Sequence, residues 1–538
     1  MDLKNTFDLK KIEANIVGYE KSDSNSIFLN EYKKVLSNSN PKVIIDKIQE
    51  ALSLGSLQLD SPKDGTNSRA VASFNCQTGH SKNYILMKSD SNQFWIIVQY
   101  TSFINAVIYD NKFVYIQNGA LVRAINQGLE QALIFFDSLD NEKSVLQGFY
   151  LEHQRPFHFF YENVKGMQYV SNCTDKELMN KYDIYIRNSF IDQKQLPYLS
   201  NSIDVNDING TVHNQGFTIK PLFFDQYHYP ASKSAWSKQA MKDMENIFKD
   251  TYTKQNLGYK GYDLVLWIGV TGQKRRWIDQ ESNYSQIIKH LASYYTNILV
   301  IVDGWTSKPS TLKQDEVSAN QDREVYFKIA AECAEVASFK SVIGHSYESK
   351  INACQGVDFF IANAGSGSMV PLRFCQKDGV LHSNPFLFTF PDSYKDYNQI
   401  IKTVEEDYVG IPQEERNNTG DHTSYQISWK LIFNRLAEII NEHRETKIPL
   451  LDLTLQDLDY LTENEIVSPA ILYKQLLLLS NKQNKNKYIS CVRDIASALE
   501  KHGLFKTAVE MLIEIHRMNP KDKFIEDKVA EVKNKLME

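Results

Sequence analysis

The sequence predicts an α/β protein with two α/β units in the middle of the chain, an N-terminal α+β extension and a C-terminal helical appendage. Between residues 258 and 390, short apolar runs alternate with amphipathic helical segments, which is typical of a parallel sheet covered by helices on both faces. A chain of 538 residues is also too long for one hydrophobic core, so we expect about two to four domains.

The composition is that of an ordinary globular protein, with 42% hydrophobic and 23% charged residues. A net charge of −6 argues against a general surface for nucleic acids or anionic membranes, although local basic patches remain open. The N-terminal segment mixes acidic residues into every turn, so we expect no secretory signal. The best apolar runs are far shorter than the ~20 residues that a bilayer requires, and we expect a cytoplasmic protein, peripheral to a membrane at most.

The six cysteines are scattered without CxxC pairs or histidines at metal-ligand spacing. This pattern predicts buried thiols in a reducing compartment and argues against a structural zinc site. They are Cys76, Cys173, Cys333, Cys354, Cys375 and Cys491.

Residues 1–135 form the predicted α+β extension. KVIIDKIQEALSL has helical periodicity and is followed by the polar breaker SPKDGTNS. From Tyr84 to Gln117 the pattern changes to short strands, and Asp110 and Asn111 stand where a tight hairpin turn needs them. We therefore expect a small antiparallel sheet beside helices.

The remaining boundaries follow from changes of pattern. Residues 136–257 open with apolar residues that lead into a polar loop and an aromatic-rich helical segment, and residues 258–445 form the clearer α/β unit. Residues 446–538 read as entirely helical, and one stretch has the spacing of a tetratricopeptide repeat (TPR). One repeat also arises by chance in helical hairpins, so the appendage is described as TPR-like. The residues that give this spacing are Gly503, Phe505, Ala508 and Pro520.

A loop of small residues follows the apolar strand VDFFIAN and runs from Asn363 to Met369. In a parallel sheet, ligands bind in the crevice at the carboxyl ends of the strands, where this loop would lie. Gly365 and Gly367 would admit a ligand closely, while Ser366, Ser368 and the N-terminus of a helix predicted to begin near Ser368 would bind an anion such as a diphosphate. A tight strand-to-helix turn explains the glycines equally well.

A second loop, directly after the strand DLVLWIGV, contains three consecutive cations. Such cations repel one another unless an anion shares them, and this loop would lie at the same sheet edge. A solvated surface turn is the rival interpretation, but two anion-seeking loops at one edge favour a shared site. The candidate residues are Gly272, Gln273, Lys274, Arg275 and Arg276.

The order of elements over about residues 258–445 resembles the donor-binding half of GT-B glycosyltransferases, especially the bacterial heptosyltransferase type. The shared pattern includes a basic loop with Lys/Arg-x-Trp, a strand ending ILVIVDGW, the IGH segment and the small-residue loop. The resemblance implies that a cation among Lys274, Arg275 and Arg276 contacts the donor phosphates and that Asn363–Gly367 holds the sugar nucleotide. The family's aspartate in that second loop is absent here, where Asn363 stands.

The resemblance also implies two Rossmann-like halves, with residues 136–257 on the acceptor side and 258–445 binding the nucleotide sugar. Asp303 and His345 would then lie near the ribose or base, although a turn aspartate explains Asp303 equally well. The catalytic base would lie in the segment GFYLEHQRPFHFFYE, where His153, His158 and Glu162 are the candidates and Arg155 is a candidate for acceptor binding. A core histidine between two phenylalanines is the rival interpretation of His158.

The resemblance implies a metal-independent, inverting glycosyltransferase of the hexosyl- or heptosyl-transferring class, with no cofactor besides its nucleotide diphosphate sugar. The acceptor would be a glycan, a lipid-linked glycan or a protein, as in bacterial cell-surface glycan synthesis or protein glycosylation, and the C-terminal helices would contact a peptide. One alternative is an inactive GT-B-like scaffold that binds glycan or protein, and another is a GT-B-type nucleotide-sugar epimerase. A Rossmann-type oxidoreductase is disfavoured because GxGxxG is missing after the first strand. The sequence does not determine the sugar, the nucleotide, the acceptor or the oligomeric state.

Overall fold

A computed structural model describes most of the chain up to residue 454 and parts of the remainder. The described residues are 3–14, 16–18, 42–76, 82–100, 102–115, 128–139, 145–152, 155–187, 189–192, 196, 198–199, 202–204, 216–221, 235–253, 259–308, 313–385, 398–412, 415, 422–445, 447–454, 457, 460, 509, 512–513, 516 and 523–537.

The N-terminal region is a seven-stranded sheet with helices beside it. Its strands pair antiparallel in the order β1-β7-β6-β5-β4-β3-β2, except that β1 runs parallel to β7. Asp110 and Asn111 have φ angles of 47° and 57° and form the predicted hairpin turn. The strands are β1 Ile16–Gly18, β2 Gln58–Asp60, β3 Asn67–Cys76, β4 Lys82–Ser89, β5 Phe94–Gln99, β6 Ala106–Tyr109 and β7 Lys112–Tyr115, and the helices are α1 Leu3–Thr6, α2 Leu9–Ala14, α3 Lys42–Leu54 and α4 Leu129–Asp137.

The two faces of this sheet are buried against different partners. One face packs on α1, α2 and α4, with Tyr84, Ile96 and Phe113 in the shared cluster. The other face packs toward the second sheet, where the side-chain amide of Asn83 donates to the Thr218 carbonyl at 2.9 Å. These contacts fix the N-terminal sheet beside the middle of the chain.

The second sheet has four parallel strands in the order β10-β9-β8-β11. Counted along the chain, this order is 3-2-1-4, so the direction of strand addition reverses between β8 and β11. The strands are β8 Leu146–Glu152, β9 Asp183–Arg187, β10 Ser202–Asp204 and β11 Phe217–Ile219, and the helices are α5 Pro156–His158, the π-helix Phe159–Val164, α6 Lys165–Cys173, α7 Lys176–Met179 and α8 Ala235–Tyr252.

The third sheet has six parallel strands in the order β14-β13-β12-β15-β16-β17. Counted along the chain this is 3-2-1-4-5-6, the strand order of Rossmann folds. Its strands are β12 Leu264–Gly269, β13 Ile298–Asp303, β14 Ser338–Ser341, β15 Phe359–Asn363, β16 Asp378–His382 and β17 Ile401–Thr403. The helical segments are α9 Gln280–Leu291, α10 Lys313–Glu332, α11 Tyr347–Cys354, the 3-10 turn Ser366–Ser368, the π-helix Met369–Phe374, the 3-10 turn Glu406–Tyr408 and α12 Trp429–His443.

The third sheet confirms the alternation of strands and helices predicted from the sequence. Its central strands read as continuous apolar runs because both faces are covered: Leu266 and Ile268 belong to one core, and Val265 and Trp267 belong to the other. The segment 386–390, which has a strand pattern in the sequence, lies outside the described residues.

A buried ion pair links the second and third regions. The carboxylate of Glu245 in α8 accepts hydrogen bonds from Arg373 Nε at 2.7 Å and Nη2 at 3.2 Å, and from the Tyr161 hydroxyl at 2.8 Å. Glu245 and Arg373 are only 0% and 3% exposed. The two parallel sheets therefore share a core that contains a fully hydrogen-bonded charge pair.

The C-terminal region is described mainly by α13, Lys523–Met537, whose Ile525 and Val532 are buried in the same core as α12. The four residues with tetratricopeptide spacing lie outside the described residues. The cysteines of the described part are thiols, and all but Cys173 are buried. No described helix combines the length and the apolar character needed to span a bilayer.

Candidate functional site

A cavity lies at the carboxyl edge of the third sheet, where the strand order reverses between β12 and β15. Its volume of about 190 Å³ is more than ten times the ~15 Å³ that one water requires, so it has room for a ligand. Reversal points of this kind are where Rossmann folds bind nucleotides. The cavity is lined by the loops after β12, β13 and β15, and by Pro156 and Phe190 from the second region.

The basic loop after β12 presents Arg275 to this cavity. Arg275 has a left-handed backbone with φ 54°, a region that non-glycine residues rarely adopt. Hydrogen bonds hold it there: its N–H donates to the His422 carbonyl at 3.0 Å, and its own carbonyl accepts from Asn363 Nδ2 at 2.9 Å. The guanidinium lies against Gly365, where an added Cβ would come within 3.3 Å of Arg275 Nη1.

The neighbouring cations take different positions. Lys274 lines the cavity, and its ammonium lies 3.3 Å from Nε2 of His422. Arg276 instead donates from Nη2 to both carboxylate oxygens of Glu281, at 3.1 and 3.2 Å. The three cations predicted as one group therefore divide, with Lys274 and Arg275 at the cavity and Arg276 bonded to α9.

The small-residue loop after β15 reaches the same cavity through Asn363, Ser366 and Gly367. The helix predicted to begin near Ser368 is instead a 3-10 turn followed by a π-helix. Pro371 lies in the first turn of this segment, where its missing N–H is tolerated. The N–H of Ser368 is bonded to the Gly365 carbonyl at 3.1 Å, so this N–H is not directed at a ligand.

The Asn363 side chain connects the two loops. Its Nδ2 donates both hydrogens, to the Arg275 carbonyl at 2.9 Å and to the Tyr425 hydroxyl at 2.8 Å. Among the described residues its Oδ1 has no hydrogen-bond partner, and that atom lies 3.7 Å from the Cβ position of Gly365. Asn363 therefore supports Arg275 and leaves an acceptor beside the cavity.

A buried histidine lies behind this support. His382 Nδ1 is 2.8 Å from the Tyr425 hydroxyl, and His382 Nε2 is 3.4 Å from the Tyr284 hydroxyl, which donates to the Gly269 carbonyl at 2.7 Å. Burial lowers the pKa of His382 to about 3, so the ring is neutral at pH 7. The bonds around it then fix the Nε2–H tautomer, with Nδ1 accepting from Tyr425.

The loop after β13 forms another wall of the cavity. Lys350, fully buried, pairs with Asp303 at 2.6 Å and donates to the Gly304 and Trp305 carbonyls at 2.9 and 3.0 Å. Burial raises the pKa of Asp303, and the Lys350 ammonium opposes that shift. Asp303 lines the cavity, as expected for a residue near the donor, but its carboxylate is paired with Lys350.

Further charged side chains surround this wall. The buried carboxylate of Asp322 in α10 accepts from the backbone N–H of Gly272 and of Trp305, each at 2.6 Å. Lys308 lines the cavity with its ammonium 4.9 Å from the centre of the Phe190 ring. Burial lowers the pKa of Lys308, while Asp315 opposes the shift.

Most of the other residues predicted to bind the donor lie outside the cavity lining. His345 is exposed, and its carbonyl accepts from the Ser307 N–H at 3.3 Å. Gly272 is bonded to Asp322, and the Ser368 hydroxyl donates to the Gly365 carbonyl at 2.9 Å. Met369 is buried in the core. Gln273 does line the cavity.

The candidate bases lie at the edge of the second sheet. His158 Nδ1 is hydrogen bonded to Glu162 Oε1 one helical turn later, and this bond orients the imidazole ring. Pro156, at the start of the same short helix, lines the cavity, and Arg155 precedes it as an exposed N-cap residue. His153 lies outside the described residues.

Two buried charges stand next to this pair. Glu152 ends β8 and Lys220 follows β11, so both lie where the strand order of the second sheet reverses. They are 2% and 1% exposed, and Glu152 Oε1 is 3.5 Å from Arg187 Nη1. Burial lowers the pKa of Lys220 to about 8, opposed by Glu152 and Glu162.

Comparison with protein families and with curated proteins gives no match. Among solved structures, E. coli heptosyltransferase WaaC with ADP is similar at a TM-score of 0.22 and 9% identity, over 44% of this chain and 72% of that one. TarM is similar at a TM-score of 0.19 and 10% identity, over 84% of this chain and 85% of that one. Neither TM-score establishes a shared fold, and the fold assignment depends on the strand order of the two parallel sheets.

Among the described residues, no group of three or more His, Cys, Asp or Glu side chains is arranged to hold a metal ion.

Several residues of the site were not among the sequence candidates, namely Trp305, Lys308, Asp315, Asp322, Lys350 and Phe190. One had a signal: Asp322 stands three positions before Val325 and seven before Ile329, which is the spacing of the buried face of a helix. A carboxylate on such a face requires internal partners.

Proposed function

We propose that this protein is a metal-independent glycosyltransferase that moves a sugar, with inversion, from a nucleotide diphosphate sugar to a glycan, a lipid-linked glycan or a protein. The contact between Arg275 and Gly365 across the strand reversal of the third sheet carries this proposal. It brings a guanidinium and a loop without side-chain bulk to one cavity.

Among the described residues, three cations and three carboxylates line the cavity, and each carboxylate already has a partner: Asp303 pairs with Lys350, Asp322 accepts from two backbone N–H groups, and Asp315 accepts from the Trp305 indole. The cations are Lys274, Arg275 and Lys308, which come from loops after two different strands. Because those carboxylates are engaged, an anionic group such as a diphosphate would bind these cations through charge-assisted hydrogen bonds. The same cations would stabilise the diphosphate as it leaves, which is the task a metal ion performs in other enzymes.

The second region supplies the acceptor side. We assign the general base to His158, whose Nε2 takes the proton of the acceptor hydroxyl while Glu162 holds the ring through Nδ1. The acceptor oxygen forms a bond to the anomeric carbon as the bond from that carbon to the diphosphate oxygen breaks. Pro156 and Phe190 bring this region to the cavity wall, as two GT-B halves would across their cleft.

The test compares two adjacent arginines. Isothermal titration of the full chain with a panel of nucleoside diphosphates and their sugars should find a ligand whose affinity Arg275→Ala weakens about 10- to 100-fold, the loss expected for hydrogen bonds to a charged group. Arg276→Ala is the matched control, because Arg276 is bonded to Glu281 outside the cavity. We expect the affinity of Arg276→Ala for the same nucleotide to stay within about twofold of the affinity of the parent chain.

Transfer or hydrolysis of the matching sugar nucleotide then distinguishes an enzyme from a binding scaffold. Equal effects of the two substitutions would contradict the phosphate site. Absence of binding to every nucleotide would favour the scaffold, and interconversion of the free nucleotide sugar would favour the epimerase.

A further inference from the structure

We propose that Asp322 is a positioning residue that ties the loop after β12 to the loop after β13, so that the two walls of the cavity move as one unit only while its carboxylate is ionised. The proposal deepens the proposed function, because it states how affinity at that cavity is controlled. Asp322 itself belongs to the helix behind the loops.

The geometry is a carboxylate shared between two loops. Asp322 Oδ1 accepts the N–H of Gly272, and Oδ2 accepts the N–H of Trp305, each at 2.6 Å. Gly272 begins the basic loop that presents Lys274 and Arg275. Trp305 begins the loop that leads to Lys308. One side chain, 4% exposed, is therefore bonded to both cation-bearing loops.

The backbone of both loops approaches α10 so closely that only glycine fits. A Cβ on Gly272 would come within 2.8 Å of the Gln321 carbonyl carbon, and a Cβ on Gly304 would come within 2.7 Å of Asp322 Oδ2. Real Cβ atoms do not approach this closely, so any side chain at either glycine would push its loop away from α10. The two glycines therefore permit the short hydrogen bonds between the loop backbone and the Asp322 carboxylate.

Other bonds hold the second loop without holding the first. The Trp305 indole N–H donates to Asp315 Oδ1 at 3.1 Å, and Lys350 holds the Gly304 and Trp305 carbonyls from the opposite side. Loss of the Asp322 carboxylate would therefore leave the loop after β13 supported, while the Gly272 N–H would lose its acceptor. A buried N–H without a partner is unfavourable, so the backbone at Gly272 would shift, although Gln280 and Asn363 still hold the loop on either side, at Thr271 and Arg275.

The protonation state of Asp322 controls this tie. Burial raises its pKa to about 6, against the two backbone N–H donors and Lys350, while Asp303 acts in the same direction as burial. A carboxylate accepts through both oxygens, whereas a protonated carboxyl carries a hydrogen on one of them. The tie is therefore complete at pH 7 to 8 and is lost as the pH falls through about 6.

The first experiment measures the tie without any ligand. Hydrogen exchange of the unliganded full chain should show the Gly272 or Trp305 amide protected at pH 7.5, with protection reduced about tenfold or more in Asp322→Asn, since an amide accepts through one atom only. Asp315→Asn is the matched control, a buried carboxylate of the same helix that accepts from the Trp305 indole. In Asp315→Asn, the exchange protection of the Gly272 amide should equal that of the parent chain. If the protection of the Gly272 and Trp305 amides is unchanged in Asp322→Asn, the proposal is overturned. A thermal unfolding scan confirms that both variants are folded.

The second experiment measures the consequence for binding. A nucleotide diphosphate sugar keeps one charge on each phosphate between pH 5 and 8, so a change in its affinity reports the protein. For the parent chain we expect affinity to fall about tenfold between pH 7.5 and 5, and for Asp322→Asn we expect a weaker affinity that changes less over the same interval. Parallel pH profiles overturn the proposal even if the nucleotide binds. A chain that binds no nucleotide sugar contradicts the proposed function instead, and the exchange result then decides about Asp322 by itself.

Discussion

The two parallel sheets of this protein place charged groups at their reversal points in different ways. At the edge of the second sheet, the His158–Glu162 pair comes from one helical turn. At the edge of the third sheet, the cavity is assembled from three loops and from α10, with the segment around Tyr425 as a support. The first arrangement is local in sequence, and the second joins residues as far apart as Pro156 and Gly367.

This difference corresponds to two functions, proton acceptance and anion binding. A proton acceptor needs one ring held in one orientation, which a partner four residues away on a helix provides. A site for a long anion needs several donors at fixed separations, and only a sheet edge brings distant loops together in that way. Each region can therefore be disrupted separately.

The largest expected effect concerns the His158–Glu162 pair. Under the proposed function, His158→Ala should lower turnover by about 10²- to 10⁴-fold, because it removes the general base. Donor affinity should remain within about twofold, since the cations that hold the diphosphate lie on the other sheet. Steady-state kinetics combined with donor titration separates these effects.

Glu162→Gln is the companion variant, since it keeps the shape of the side chain but replaces the carboxylate that is hydrogen bonded to the His158 ring. It should lower turnover less than His158→Ala does, because the imidazole remains present. If donor affinity and turnover fell together in both variants, the separation between the two regions would be wrong.

The next effect concerns the ion pair that joins the two regions. Glu245→Ala leaves Arg373 buried without its carboxylate, and we expect a loss of about 3–5 kcal/mol in the free energy of unfolding. Urea denaturation of the full chain measures this. Lys528→Ala, which removes an exposed partner of Glu531, is the control and should change stability by less than about 1 kcal/mol. A small change in Glu245→Ala would mean that the two regions are not tied through this pair.

Much of the fold follows from the sequence because its signals are short-range. The helix at Lys42–Leu54 buries Ile44, Ile45, Ile48, Ala51 and Leu52, the face that its periodicity predicts. The Asp110–Asn111 turn and the alternating strands and helices of the third sheet were equally readable.

The candidate site was harder to predict, since its geometry depends on contacts that no local pattern reveals. Arg275 and Arg276 are adjacent in sequence, yet the left-handed backbone at Arg275 and the bond from Arg276 to Glu281 direct them apart. The strand-like pairing of Trp277 with Tyr425 fixes that loop from about 150 residues away. The positions of the two loops at one sheet edge were predictable, and the choice of which cation faces the cavity was not.

The smallest expected effect lies where the two regions meet above the cavity. The Lys308 ammonium stands 4.9 Å from the centre of the Phe190 ring, and a half-buried contact of this kind contributes about 0.5–1 kcal/mol. A double-mutant cycle of Lys308→Met and Phe190→Leu on unfolding stability isolates the contact, because the packing of Phe190 on Phe159 and Tyr347 cancels between its arms. Under the proposed function, a saturating nucleotide diphosphate sugar draws the ammonium toward phosphate, so the coupling should shrink toward zero in its presence. A coupling that is the same with and without ligand would show that Lys308 holds the two regions together and takes no part in binding the anion.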